Sequence, residues 1–246
     1  MPLDDELLAE YITTFYGYGN YRGEWWLVGM EEGGGDSVND ITSRLTRWNG
    51  RGRKELEDVD LFVGSPSHEK WFTRSPPLQP TWAKLIRLIL SAEGRHVDSE
   101  AIRAYQGARL GRLNSNNCIL ELLPLPSPSI GHWMYGEHSR LVELRDRRTY
   151  TERITPARVE HIQQRILEHK PKAVVFYSRS PEYRKRWEEI AGAAFKATEL
   201  AGLDVVTSVD TVFAMTRHPT HTGVTNDYFA RAGALIAALA AKARRG

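Results

Sequence analysis

Four short apolar runs constrain this chain more than any other feature: Trp25–Gly29, Cys118–Leu123, Ala173–Tyr177 and Thr211–Met215. Each is bounded by Gly, Pro, Asn or Ser, and each is nearly continuous rather than alternating. That pattern suits strands covered on both faces. Helical patterns lie between and after them. In Thr81–Glu93, Trp82, Leu85, Ile86, Ile89 and Leu90 recur at spacings of three and four. Thr155-Pro156 reads as an N-cap followed by a first-turn proline, with Val159, Ile162 and Ile166 forming a buried stripe. Ser180-Pro181 repeats the start signal before Tyr183–Ala191, and an Ala-rich helix is expected over Asn226–Arg244. Buried strands alternating with helices predict an α/β fold in three layers, α/β/α, around a central four-stranded parallel sheet.

No repeat and no Gly/Ser or Pro-rich linker divides the 246 residues, so a single domain is expected, with an insertion at about 36–115. Hydrophobic residues at 41% and charged residues at 26% exclude collagen-like, low-complexity and wholly disordered classes. The single cysteine, Cys118, excludes an intrachain disulfide framework and fits a reducing compartment. No apolar run reaches the roughly 18–20 residues of a spanning helix, and Met1–Glu10 is acidic rather than leader-like. The expected location is the cytoplasm, with no membrane association.

Net charge is only +2, yet the signs are segregated. Residues 1–36 carry one basic residue, Arg22, against eight acids, whereas residues 140–186 carry thirteen Lys/Arg against six acids. Such asymmetry either steers an anionic partner to one face or marks solvated helical surfaces.

Open parallel sheets bind ligands at the carboxyl ends of their strands. Three segments there carry unusual residues. Gly29-Met30-Glu31-Glu32-Gly33-Gly34-Gly35 follows the first run and presents Glu31 or Glu32 at the sheet edge; it lacks the Gly-Lys-Ser/Thr of a phosphate loop and the spacing of a dinucleotide fingerprint. A solvated tight turn is its other reading. Glu121 interrupts the apolar run that leads to Leu122-Leu123-Pro124-Leu125. A buried carboxylate needs a partner or a ligand, and a partner within the fold, for example an arginine, is the expected explanation. His218-Pro219 follows the last run, where proline holds the histidine extended, able to donate a hydrogen bond or shuttle a proton. His-Pro is also a common turn.

Taken together, the Gly-Met-x-x-Gly turn, the strand ending in Pro-Leu and the C-terminal His-Pro resemble the uracil-DNA glycosylase superfamily, most nearly its single-strand-selective monofunctional type. That resemblance implies a uracil-DNA glycosylase-like fold and hydrolysis of the bond between an altered base and deoxyribose. It assigns the water-positioning role to Glu31 and stabilisation of the anionic leaving base to His218. Base binding would fall to Gly29, Met30, Glu121 and Pro124, with Glu121 where the family carries an asparagine. Glu32 stands where the family carries proline. A carboxylate at 121 suits the amino group of cytosine or adenine, whereas an amide satisfies both O4 and N3–H of uracil, so the base is open. The implied partner is DNA, single-stranded or with the target base flipped out. No cofactor and no obligate protein partner are expected.

Two further stretches suit nucleic-acid contact. Arg44–Lys54 mixes five cations with Trp48; Arg47, Arg51 and Arg53 suit phosphates and Trp48 suits base stacking, although any exposed basic loop reads alike. Arg217, Thr220 and His221 flank the His-Pro pair. Arg179–Arg186 opens a helix near the expected site edge, where Tyr183 and Trp187 read as packing residues. No histidine or cysteine has metal-ligand spacing, so no metal site is expected. Besides the hydrolase, two other readings remain: a glycosylase-derived binding module without activity, and a small-molecule hydrolase or transferase using the Glu31/Glu32 pair.

Overall fold

The computed structural model describes residues 2–62, 70–73 and 75–243. Its centre is an eight-stranded mixed sheet, in spatial order β3-β1-β4-β2-β5-β8-β7-β6. The strands are β1 Gly17–Gly19, β2 Trp25–Glu31, β3 Leu56–Glu57, β4 Asn117–Leu123, β5 Ala173–Phe176, β6 Lys196–Ala197, β7 Asp204–Thr207 and β8 Val212–Met215. The four apolar runs are β2, β4, β5 and β8, adjacent to one another and mutually parallel. The sheet is larger than the four strands expected from them. β1 pairs antiparallel with β4, and β6 and β7 extend the other side antiparallel. These added strands span two to four residues and are poor in alternating apolar residues, which leaves them little periodic signal.

Side chains leave the central strands alternately into two apolar clusters. Trp25, Leu27, Ile119, Leu123, Val175 and Ala214 enter one; Trp26, Val28, Leu120, Leu122, Val174, Phe176, Phe213 and Met215 enter the other. Helices α1 Asp5–Thr14, α2 Val38–Gly50, α3 Pro80–Ala92, α4 Ser99–Ala108 and, later in the chain, α7 Asn226–Ala243 supply the first cluster. The second is closed by Val159, Ile162 and Ile166 of α5 (Arg147–His169) and by Trp187 and Ile190 of α6 (Pro181–Ala191). Cys118, the second residue of β4, is wholly buried, and burial pushes its thiol well above the ordinary range.

Local chemistry explains most helix starts. Gln79 caps α3 by accepting from the Trp82 amide at 2.7 Å, ahead of Pro80 in the first turn. α6 starts at Pro181 as Ser180-Pro181 predicts, although Ser180 makes no capping hydrogen bond. α5 does not begin at Thr155-Pro156. It begins at Arg147, capped by Asp146 accepting from the Thr149 amide at 2.7 Å, and carries Pro156 in its interior. The expected end of the last helix, Arg244, lies outside the described residues.

Residues 36–115 do not stand apart. α2, α3 and α4 all enter the first cluster, while 63–69 and 74 lie outside the described residues. α3 and α7 pack closely: a Cβ at Gly233 would stand 2.1 Å from the Leu88 carbonyl oxygen, and Ser91 donates to the Ala230 carbonyl at 2.6 Å. No helix among the described residues is long and apolar enough to cross a membrane.

Candidate active site

The parallel register places Glu121 of β4 opposite Gly29 of β2, and Val28 opposite Phe176 of β5, so that Tyr177 emerges on the other flank of Gly29. Tyr177 donates its phenolic hydrogen to Glu121 Oε1 at 2.7 Å. The two side chains meet over Gly29, where an added Cβ would lie 2.1 Å from Tyr177 Oη and 2.2 Å from Glu121 Oε2. Only glycine permits that approach. Glu121 keeps some accessible surface, but its Oε2 is sealed and has no hydrogen-bond partner among the described residues. Burial pushes the carboxyl up to about 8; the Tyr177 hydrogen bond opposes this, while Glu32 and Glu31 add to it. At neutral pH Glu121 is therefore a neutral acid with one hydroxyl donor and one carbonyl acceptor.

The partner expected for Glu121 inside the fold is present, but it is Tyr177 and not an arginine. Arg158 of α5, fully buried, spends its guanidinium on main-chain carbonyls: Leu122 at 2.6 Å, Glu121 at 2.8 Å, Phe15 at 2.8 Å and Ile12 at 3.1 Å. It also stacks over Tyr16, 3.8 Å from the ring centroid. This cation ties the end of α1 to the carboxyl end of β4.

Glu31 and Glu32 are neither a solvated turn nor a cooperating pair. Arg147 Nη1 donates to both oxygens of Glu31, at 2.9 and 2.7 Å, while its Nη2 holds Ser127 Oγ at 2.5 Å and the Ser129 and His132 carbonyls at 3.1 and 3.0 Å. Burial raises the Glu31 carboxyl and Arg147 opposes the rise. Glu31 opens onto a cleft of about 530 Å³ shared with Ile130, Arg148, Glu182 and Tyr183. Glu32 turns the other way: Arg44 of α2 donates to its two oxygens at 2.8 and 3.1 Å, and Tyr18 donates to it at 2.8 Å. Glu32 is thereby committed to holding α2 against the sheet, which removes the basis for a catalytic Glu31/Glu32 pair.

His218 follows β8, whose next residue, Thr216, donates its amide to the Phe176 carbonyl at 2.8 Å. The imidazole lies 6.1 Å, centroid to centroid, from the Tyr177 ring. Its Nδ1 accepts the Thr220 amide at 3.3 Å and sits 3.0 Å from Thr220 Oγ1, so the neutral ring carries its proton on Nε2. Burial lowers its pKa from the ordinary 6.5, and His221 and Lys84 lower it further. Glu121, Glu31, Tyr177 and His218 thus occupy the carboxyl ends of four adjacent strands. β2 and β8 are two strand spacings apart, about 10 Å.

The basic stretch around Trp48 is helical as far as Gly50, with residues 51–54 in the turn that follows. Arg44 through Gly50 form the last turns of α2; Ile41, Arg44, Leu45 and Trp48 share its buried face. Trp48 is fully buried and donates from its indole to the Lys54 carbonyl at 2.8 Å, so it cannot stack on a base. Arg51 pairs with buried Glu57 at 2.8 Å and Arg53 pairs with Glu10, whereas Arg47 is partly exposed. Of the other expected contacts, Thr220 and His221 are exposed and Arg217 is partly so, packed against Gly202. Pro124 is buried and Met30 packs on the second cluster. Trp187 is fully buried, with Tyr183 stacked on it at 5.8 Å. No group of three His, Cys, Asp or Glu residues among the described residues is arranged to hold a metal.

Tyr177, Arg147 and Lys84 are the site-shaping residues that no local motif marks. Tyr177 had one signal available, its place as the last residue of a strand run at the ligand-binding end. Compared with protein-family models and with curated proteins, the chain matches none.

Proposed function

We propose that this protein is a base-excising hydrolase of uracil-DNA glycosylase type, with a layered α/β/α arrangement of that kind, acting on DNA that presents a flipped or unpaired base. The observation that carries the reading is Glu121, held neutral beside Tyr177, whose ring in turn lies 6.1 Å from that of His218. Once the carboxyl turns so that Oε2, sealed in this structure, faces a bound base, the neutral acid offers a donor and an acceptor, the complement of the C=O and N–H of an imide edge such as that of uracil. Ionised, it would only accept. Glutamate at this position therefore does the work of an amide at neutral pH, favouring uracil-like bases over cytosine.

In this reaction the N-glycosidic bond breaks with its electron pair going to the base, and the oxygen of water bonds to the sugar carbon. His218 donates from Nε2–H to the departing anion, where a preorganised donor is worth most. Glu31 offsets the positive charge growing on the sugar, orients the water and takes its proton. The test is abasic-site formation on single-stranded oligonucleotides carrying uracil or hypoxanthine. Turnover that falls at least about a hundredfold in Glu31→Gln and His218→Ala supports the reading. No abasic product from the unaltered protein with any altered base overturns it.

One observation favours a second reading. Arg147 engages both oxygens of Glu31, which ties down the group that must orient water. A binding module derived from such an enzyme would show salt-sensitive affinity for single-stranded DNA with no product.

A further inference from the structure

α3 lies within the stretch of chain that no motif explained, and it sends one side chain across to the histidine loop. Lys84 Nζ donates to the Pro219 carbonyl at 2.6 Å and to the Val224 carbonyl at 2.8 Å, gripping both ends of the loop that follows His218. Those contacts span 135 and 140 residues of sequence. The backbone of α3 is fixed against α7 by the Leu88–Gly233 approach and the Ser91–Ala230 hydrogen bond, so the ammonium is delivered from a rigid helix. Lys84 makes no ion pair among the described residues, and its charge is left to act on its surroundings.

We propose that Lys84 is the positioning residue of His218: from α3 it pins the Pro219–Val224 loop and sets a positive charge beside the imidazole, keeping the ring a neutral Nε2–H donor. This rests on His218 being the group that meets the departing base. The arrangement is self-consistent. Thr220 fixes the tautomer from within the loop by donating to Nδ1, and Lys84 fixes the loop itself. Among the described residues, the groups that bear on the imidazole are Lys84 from α3, His221 from its own loop and Tyr177 from the end of β5. Lys84 and His221 both disfavour protonation, and the Tyr177 hydroxyl is turned to Glu121. A cation that binds only carbonyl dipoles keeps its field, where one paired with a carboxylate would cancel it.

The experiment is nitrogen-resolved NMR of the His218 ring, which reads tautomer and titration midpoint without needing turnover. In the unaltered protein the ring is the Nε2–H tautomer with a midpoint below the ordinary histidine value. Lys84→Gln, which keeps a donor and loses the charge, moves the midpoint upward; Lys84→Arg, which keeps the charge, leaves it low. The Lys84 side-chain signals of the unaltered protein show an inflection at the His218 midpoint, and this holds as a test even where the variants do not fold. A midpoint unchanged in Lys84→Gln, or Lys84 signals blind to His218, overturns the proposal. Absence of abasic product with the NMR shifts intact would instead remove the hydrolase and leave the coupling standing.

Discussion

Replacing Glu121 with glutamine tests whether the site holds a neutral acid. In the unfolded chain this carboxyl ionises near its ordinary 4.5, while in the folded protein it holds its proton to about 8. Between those values the native state binds one proton more than the unfolded state. Stability must then fall as pH rises through the window and level off above it. At about 1.4 kcal/mol per pH unit the full window amounts to ~5 kcal/mol, and partial access of the residue to water reduces it to ~2–5 kcal/mol. Glutamine keeps the shape and an acceptor for Tyr177 but cannot ionise. Urea denaturation of both proteins at pH 5, 7 and 9 isolates the effect, because every other titrating group is common to the two. From pH 5 to pH 9, which takes in most of that window, the variant should gain ~2–4 kcal/mol on the parent, whatever constant offset its amide introduces over Gly29. Parallel stability curves, or a parent that gains on the variant as pH rises, would show that Glu121 is ionised in the folded state and that the base-reading argument fails.

Two other substitutions probe how the site is built. Gly29→Ala drives a methyl group into Tyr177 Oη and Glu121 Oε2 and should cost roughly 1–3 kcal/mol in thermal or chemical denaturation while parting the Tyr177–Glu121 hydrogen bond. Retention of full stability would mean that the close approach is not enforced. Arg158→Met strands four main-chain carbonyls and should cost roughly 3–5 kcal/mol by denaturant midpoint, with an unaltered midpoint as the refuting result.

What could be read from the chain follows from the range of the interactions. The parallel centre of the sheet was legible because strands buried on both faces must be apolar at consecutive positions, and few other structures demand that. The edge strands were not legible, since Gly17–Gly19 and Lys196–Ala197 owe their geometry to neighbours rather than to side-chain pattern. Thr155-Pro156 misled because proline tolerates a first turn best without being restricted to it, and Asp146 supplied a stronger start upstream. Arg44 and Trp48 misled differently. Composition suggested phosphate and base contacts, yet Ile41, Arg44, Leu45 and Trp48 have helical spacing, and that periodicity was the better guide. At the site, the need of Glu121 for a partner was legible, but its identity was not: Tyr177 lies 56 residues away and Lys84 reaches the histidine loop over 135. Only the folded sheet brings such pairs together.

The single thiol of the chain, on strand β4, turns the protein into its own reporter. Cys118 has no second thiol to confuse it, and its surroundings leave it neither exposed nor ionised. An alkylating reagent reaches it only when the middle of the sheet comes apart. The rate of modification under native conditions therefore clocks the opening that exposes the start of β4, with no label to introduce. The same measurement on the unaltered chain with an oligonucleotide added reads how far that ligand slows the opening.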